Sequence, residues 1–105
     1  MDDKNLLDAF IKESLELSLA KGYSAPVFRR MVADYGTVEA VRRLAEADVL
    51  QSGLRELAKL DLLDWSAEAA VGKFPRLFPI RLTRESAQFK LKLARNGHHD
   101  QELTD

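Results

Sequence analysis

The chain has 105 residues, enough for one domain with one modest core, and 46% hydrophobic against 31% charged residues sets it among folded rather than disordered chains. A formal net charge of −1 excludes a global field that would steer it to nucleic acid or to an anionic membrane. The absence of cysteine excludes disulfides, thiolate metal sites and cysteine nucleophiles.

The opening stretch, MDDKNLLDAF, is acidic and amphipathic. It lacks the basic and continuously apolar regions of a signal peptide. No apolar run approaches the roughly 20 residues of a membrane span. A cytoplasmic location without a membrane partner is the expectation.

A first helix is expected from about Asn5 to Ala20, with Asp2 and Asp3 at its positive end and Lys21-Gly22 at its negative end. Its apolar face is wide. Leu6, Leu7, Phe10, Ile11, Leu15, Leu17 and Leu19 cover more than half of the circumference. Ser14 and Ser18 lie one turn apart on that face. They either bond back to their own helix carbonyls or let another helix approach closely. The face offers more apolar surface than one small core needs, so a homodimer or a docked protein is expected to cover it.

In GYSAP, Ser24 is the expected cap of a second helix and Pro26 its first-turn proline. Val27, Phe28, Met31, Val32 and Tyr35 give its apolar face, and Gly36 is its stop. Thr37 is the expected cap of a third helix, with Val38, Val41, Leu44 and Ala45 inward. Ser52 is the expected cap of a fourth, with Leu54, Leu57, Ala58 and Leu60 inward. Ser66 is expected to start a short fifth helix, AEAAVGK. FPRLFP reads as a non-helical corner, because each proline disfavours helix in the residue before it.

The last stretch reads two ways. Thr83 as a cap and Asn96-Gly97 as a stop predict a helix. Phe89, Leu91 and Leu93 alternate with Lys90 and Lys92, which is strand periodicity, so a short β-hairpin near 77–93 is the alternative. The expected organisation is all-α, with five or six short helices around one core in residues 1–97. Residues 98–105 are expected to form a flexible acidic tail.

No constellation announces a reaction. Ser66 beside Trp65 and Glu68 would need a base and an oxyanion hole to be a nucleophile. The only histidines, His98 and His99, fall on the expected tail, and no G-x-S-x-G elbow is present. A helix cap explains Ser66 without further assumptions. Trp65 then anchors the core or faces a partner. Adjacent histidines with Asp100 on a tail do not preorganise a metal site. Asp61, Asp64 and Glu68 read as a solvated acidic patch. Neither a cofactor nor a small-molecule substrate is expected, and the chain is expected not to be an enzyme.

Two interaction readings remain. The leading one is a non-enzymatic protein-interaction module, homodimeric or docked on another protein. Its candidate residues are Leu7, Phe10, Ile11, Ser14, Ser18, Trp65 and Phe78. The alternative is a nucleic-acid-contacting accessory module. Seven bases and one acid fall between residues 73 and 95: Lys73, Arg76, Arg81, Arg84, Lys90, Lys92 and Arg95 against Glu85. Arg29-Arg30 and Arg42-Arg43 add two pairs. If these shared a face they could contact phosphates, but the acidic segment 46–72 can equally neutralise them.

The order of certain residues also carries a resemblance. Gly22, Tyr23, Phe28, Met31, Gly36, Ala40 and Leu44 are followed by Gly53-Leu54, Leu57, LDWSAEAAV, Phe74 and Leu77-Phe78. From Gly22 to Leu93 this resembles a family of small bacterial all-helical domains of unassigned function. Similar strings occur as whole short proteins and beside restriction or nuclease-like domains. The resemblance implies a helical fold and transfers no catalytic residue. The sequence departs from the pattern at Trp65, where an aliphatic residue is expected, and at the extra proline of FPIRLTRES.

Overall fold

Asp2 accepts a hydrogen bond from the Asn5 amide at 2.8 Å, which satisfies one of the orphan donors of a first turn. Helix α1 therefore begins at Asp3 and runs to Ala20. The computed structural model describes residues 2–47 and 52–104. Its further helices are α2 (Pro26–Tyr35), α3 (Thr37–Glu46), α4 (Ser52–Lys59), α5 (Ala67–Lys73) and α6 (Arg81–Thr104). Single 3-10 turns at Leu63–Trp65 and Pro75–Leu77 flank α5. The fold is all-α, with six α-helices and no strand among the described residues.

Helix α1 ends in a left-handed turn. Gly22 takes φ 95°, while Tyr23 N–H bonds Ser18 O and Gly22 N–H bonds Leu19 O, both at 2.9 Å. Helix α4 ends the same way without glycine. Asp61 takes φ 61°, Leu62 N–H bonds Leu57 O at 2.8 Å and Asp61 N–H bonds Ala58 O at 3.1 Å. The two ends meet, since Lys21 Nζ donates to Leu60 O at 3.0 Å. A cation there suits both negative helix ends.

Several expected boundaries shift. Ala25, not Ser24, is the N-cap of α2, in a left-handed conformation with φ 51° and no side-chain cap bond. The Ser24 carbonyl instead accepts from Arg29 Nε at 2.5 Å. Gly36 closes α2 and also opens α3, so Thr37 is the first helical residue and not a cap. Ser52 is the first described residue of α4, and its expected role as a cap lies outside what the structure describes. Thr83 is buried inside α6, which starts directly after Pro79-Ile80. The hairpin alternative is corrected, because the alternating segment is helical throughout. Helix α6 also continues through the expected stop at Asn96-Gly97, so the segment expected as tail is helical to Thr104.

The core gathers Leu7 and Ile11 of α1, Val41 and Ala45 of α3, Ala70 and Val71 of α5, and Phe74, Phe78 and Ala87. Its many alanines lie where α3, α5 and α6 cross, and small side chains let those backbones approach closely. Helix α2 contributes no fully buried residue. Val27 and Tyr35, expected inward, are exposed. Tyr35 instead carries the Arg43 guanidinium 4.0 Å above its ring.

Candidate functional site

Helix α6 is inverted with respect to side-chain size and polarity. Thr83, Ala87, Lys90 and Ala94 face the core. Leu82, Phe89 and Leu93 face outward, 67%, 60% and 41% exposed. The inward face is explained by the end of α3. The last four carbonyls of a helix lack intrahelical partners. Ser86 Oγ donates to Ala45 O at 2.7 Å, and Lys90 Nζ donates to Leu44 O. Thr83 Oγ1 donates to Glu46 Oε2 at 2.5 Å. One face of α6 thus closes the C-terminus of α3, and the positive Lys90 meets its negative end.

Lys90 also pairs with Glu68 of α5, at 2.9 Å between Nζ and Oε2. Lys90 is 2% exposed and Glu68 3% exposed. Two charges this deep persist only when paired and hydrogen-bonded, as here. The expectation of a solvated acidic patch is corrected for Glu68, while Asp61 and Asp64 are exposed as expected. Lys90 is likewise corrected from a surface base to a core residue. The available signal was the helical spacing of Thr83, Ala87, Lys90 and Ala94, which groups the small residues with one lysine.

The outward stripe has the opposite character. Leu82, Phe89 and Leu93 are spaced by seven and four residues, which puts them on one line of an α-helix. Glu85 and Lys92 flank the line on the side away from the core, both exposed. Glu85 Oε1 accepts from Arg81 Nε at 2.7 Å within the same helix.

The protein-interface candidates of α1 are mostly consumed by the fold. Leu7, Ile11, Ser14 and Ser18 are buried, so they cannot face a partner. Ser14 Oγ donates to Trp65 O at 2.5 Å, and Ser18 Oγ donates to Leu15 O at 3.1 Å. Phe78 is buried too, and its carbonyl accepts from Arg84 Nη1 at 2.8 Å. Phe10 and Trp65 stack with ring centroids 4.9 Å apart and planes 24° from parallel. Trp65 is half-buried and forms a wall between an inner cavity and an open groove beside Leu6, Phe10 and Phe74. It points neither wholly inward nor wholly outward.

The inner cavity holds about 100 Å³ among Leu15, Phe28, Leu54 and Leu57, with Ser14, Ser18, Tyr23 and Glu68 at its polar edge. That is room for about three waters, not for a substrate of ordinary size. Burial, and to a smaller degree the Glu56 charge, pushes the Tyr23 phenol above its usual range. The serine hydroxyls already donate to carbonyls and the Glu68 carboxylate is held by Lys90, so no nucleophile–base pair is assembled. Ser66 accepts from Ala69 N–H at 3.0 Å and donates to Leu63 O at 2.7 Å. It is the cap of α5.

The basic residues do not form one free face. Arg42 bonds both Glu39 and Glu46, and Arg43 bonds Glu39. Arg76 pairs with Asp3, Arg81 with Glu85, Arg95 with Asp64 and Arg30 with Asp34. Arg29 and Arg84 are turned onto backbone carbonyls, and Lys73 lies 5.8 Å from the Phe10 ring centroid. Lys90 is inside and cannot reach a phosphate. Lys92 is exposed. The Arg42 and Arg43 guanidiniums hold the Glu39 carboxyl down to about 2, with the Arg42 hydrogen bonds the larger cause, against a smaller upward push from desolvation.

No family model, no curated protein and no solved structure matches the chain. Among the described residues no group of three metal-ligating side chains converges, and no helix is long and apolar enough to cross a membrane. The His98-His99-Asp100 side chains lie outside the described residues.

Proposed function

We propose that the chain is a non-enzymatic interaction module that associates with its own kind through the outward stripe of α6. The observation that carries this reading is the inversion of α6. Leu82, Phe89 and Leu93 lie exposed on one line while a lysine, a threonine and two alanines occupy the core side. Exposed leucines scattered singly need no explanation, but an aligned apolar stripe on the longest helix does. On the wide face of α1, the other route to association, Leu7 and Ile11 are buried and Phe10, Leu15 and Leu17 half-buried, which leaves Leu6 and Leu19 exposed.

A cytoplasmic location belongs to the same proposal, and the absence of cysteine is compatible with it. Kinship with the small bacterial helical domains belongs to the same reading, supported by the all-α fold. Nucleic-acid contact is not favoured by any observation, since most of its candidate bases are held by acids or carbonyls.

A stripe of about three turns buries less than a standard interface, so the dissociation constant is expected at about 10–1000 μM. Sedimentation equilibrium across that range is expected to show self-association. Phe89→Lys and Leu82→Lys should each abolish it and leave the helical circular dichroism unchanged. A wild-type chain that stays monomeric at about 1 mM would refute the reading.

A further inference from the structure

We infer that two copies pair through α6 in antiparallel orientation, Leu82 of one against the partner's Leu93 and Glu85 against the partner's Lys92. The inference rests on the self-association proposed above and adds the geometry. In an antiparallel pair with two-fold symmetry, residues that face each other along the contact line have position numbers with a constant sum, and residues on the same flank meet two positions off that sum. One register brings the two leucines of the stripe together at both ends of the interface. Centred between Ala87 and Gln88, it stacks Leu82 on the partner's Leu93 and Phe89 on the partner's Ser86. Symmetry repeats both contacts. Ser86 is half-buried and its hydroxyl stays on Ala45 O, so only its small edge meets the ring, and a large side chain opposite a small one suits interdigitating helices. Sliding one heptad either way leaves Leu82 or Leu93 without an apolar partner.

Charge selects the same arrangement. One flank of the stripe, Thr83 and Lys90, is closed against α3 and α5. Only the flank with Glu85 and Lys92 is open. In an antiparallel pair the same flank of each helix faces its symmetry mate, so Glu85 approaches the partner's Lys92 at both ends of the interface. In a parallel pair each open flank would face the partner's closed one, and the acid and base would not meet. Glu85 exchanges its local bond to Arg81 for this contact, or bridges both.

The chain has no cysteine, so disulfide trapping is unambiguous. Leu82→Cys and Leu93→Cys chains are oxidised separately and as a mixture. The inference expects a disulfide dimer in the mixture and none in either chain alone. Dimers formed by each chain alone would establish a parallel pair and overturn it. No dimer anywhere, while sedimentation still shows wild-type association, would overturn the register and leave self-association standing. Charge reversal gives a second readout that leaves the apolar stripe intact. Glu85→Lys and Lys92→Glu should each weaken association about tenfold, and the double variant should restore it. A double variant weaker than either single change would also overturn the register.

Discussion

Lys90 and Glu68 illustrate how one pair of residues can organise three helices. Lys90 ties α6 to α5 through the carboxylate and to α3 through Leu44 O. The pair is poor evidence of net stability, because desolvating both charges offsets much of their attraction. It is strong evidence of mutual dependence. Removing either partner strands the other charge in the core, so Lys90→Met or Glu68→Leu alone should cost about 3–5 kcal/mol. The double variant Glu68→Leu/Lys90→Met should return to within about 1 kcal/mol of wild type, since apolar residues of similar volume then fill the site. Leu44 O also accepts from the Ala47 N–H at 3.3 Å, a donor that none of these substitutions removes. Urea unfolding of the four proteins measures the coupling, and additive losses would show that the two charges do not depend on each other. None of this was legible from Lys90 itself. Flanked by Phe89 and Leu91, it reads as the polar member of an alternating run, and only packing against α3 and α5 decides which side of the helix is inside.

Elements were easier to read than faces. Capping chemistry is local, so Ser66 at the head of α5 and Gly22 behind α1 follow from their own neighbourhoods. The failures are also local in cause. Ser24 lost its cap role because Ala25 turns left-handed before Pro26, and Thr83 lost its own because α6 starts two residues earlier. Two glycines test the same physics with opposite signs. Gly22 needs φ 95°, whereas Gly72 sits in α5 with an ordinary backbone and open space where a Cβ would be. Gly22→Ala should destabilise by about 1 kcal/mol, because the left-handed strain exceeds the entropy removed from the unfolded chain. Gly72→Ala should stabilise by about 0.5–1 kcal/mol, through the helix propensity of alanine. Thermal or urea unfolding reports both. Equal signs would show that backbone conformation does not govern these two positions.

At the scale of the whole molecule, the near-neutral net charge conceals a paired arrangement rather than a sparse one. The sequence showed a basic block beside an acidic block and could not show whether they meet, because that depends on helix packing. They meet in part: Glu68 receives Lys90 and Asp64 receives Arg95, while Glu46 is taken by Arg42 of its own helix and by the Thr83 hydroxyl. Glu46 lets the Arg42 cluster on α3 reach α6, so the charge state of this cluster bears on global stability. Its titration has a definite sign. The Glu39 carboxyl is held at about 2, below its ordinary value of 4.5, chiefly by hydrogen bonds from Arg42. Between those values the unfolded chain binds more protons at this site than the folded one, so stability rises with pH there. The contribution is complete above about pH 4.5 and is lost as the pH falls toward 2. Glu39→Gln removes the titrating group. Its unfolding free energy should therefore fall less steeply than that of wild type between pH 4.5 and 2, and the two should run parallel above pH 5. Urea midpoints measured across that range decide the matter, and identical acid slopes would show that Glu39 carries no folded-state shift.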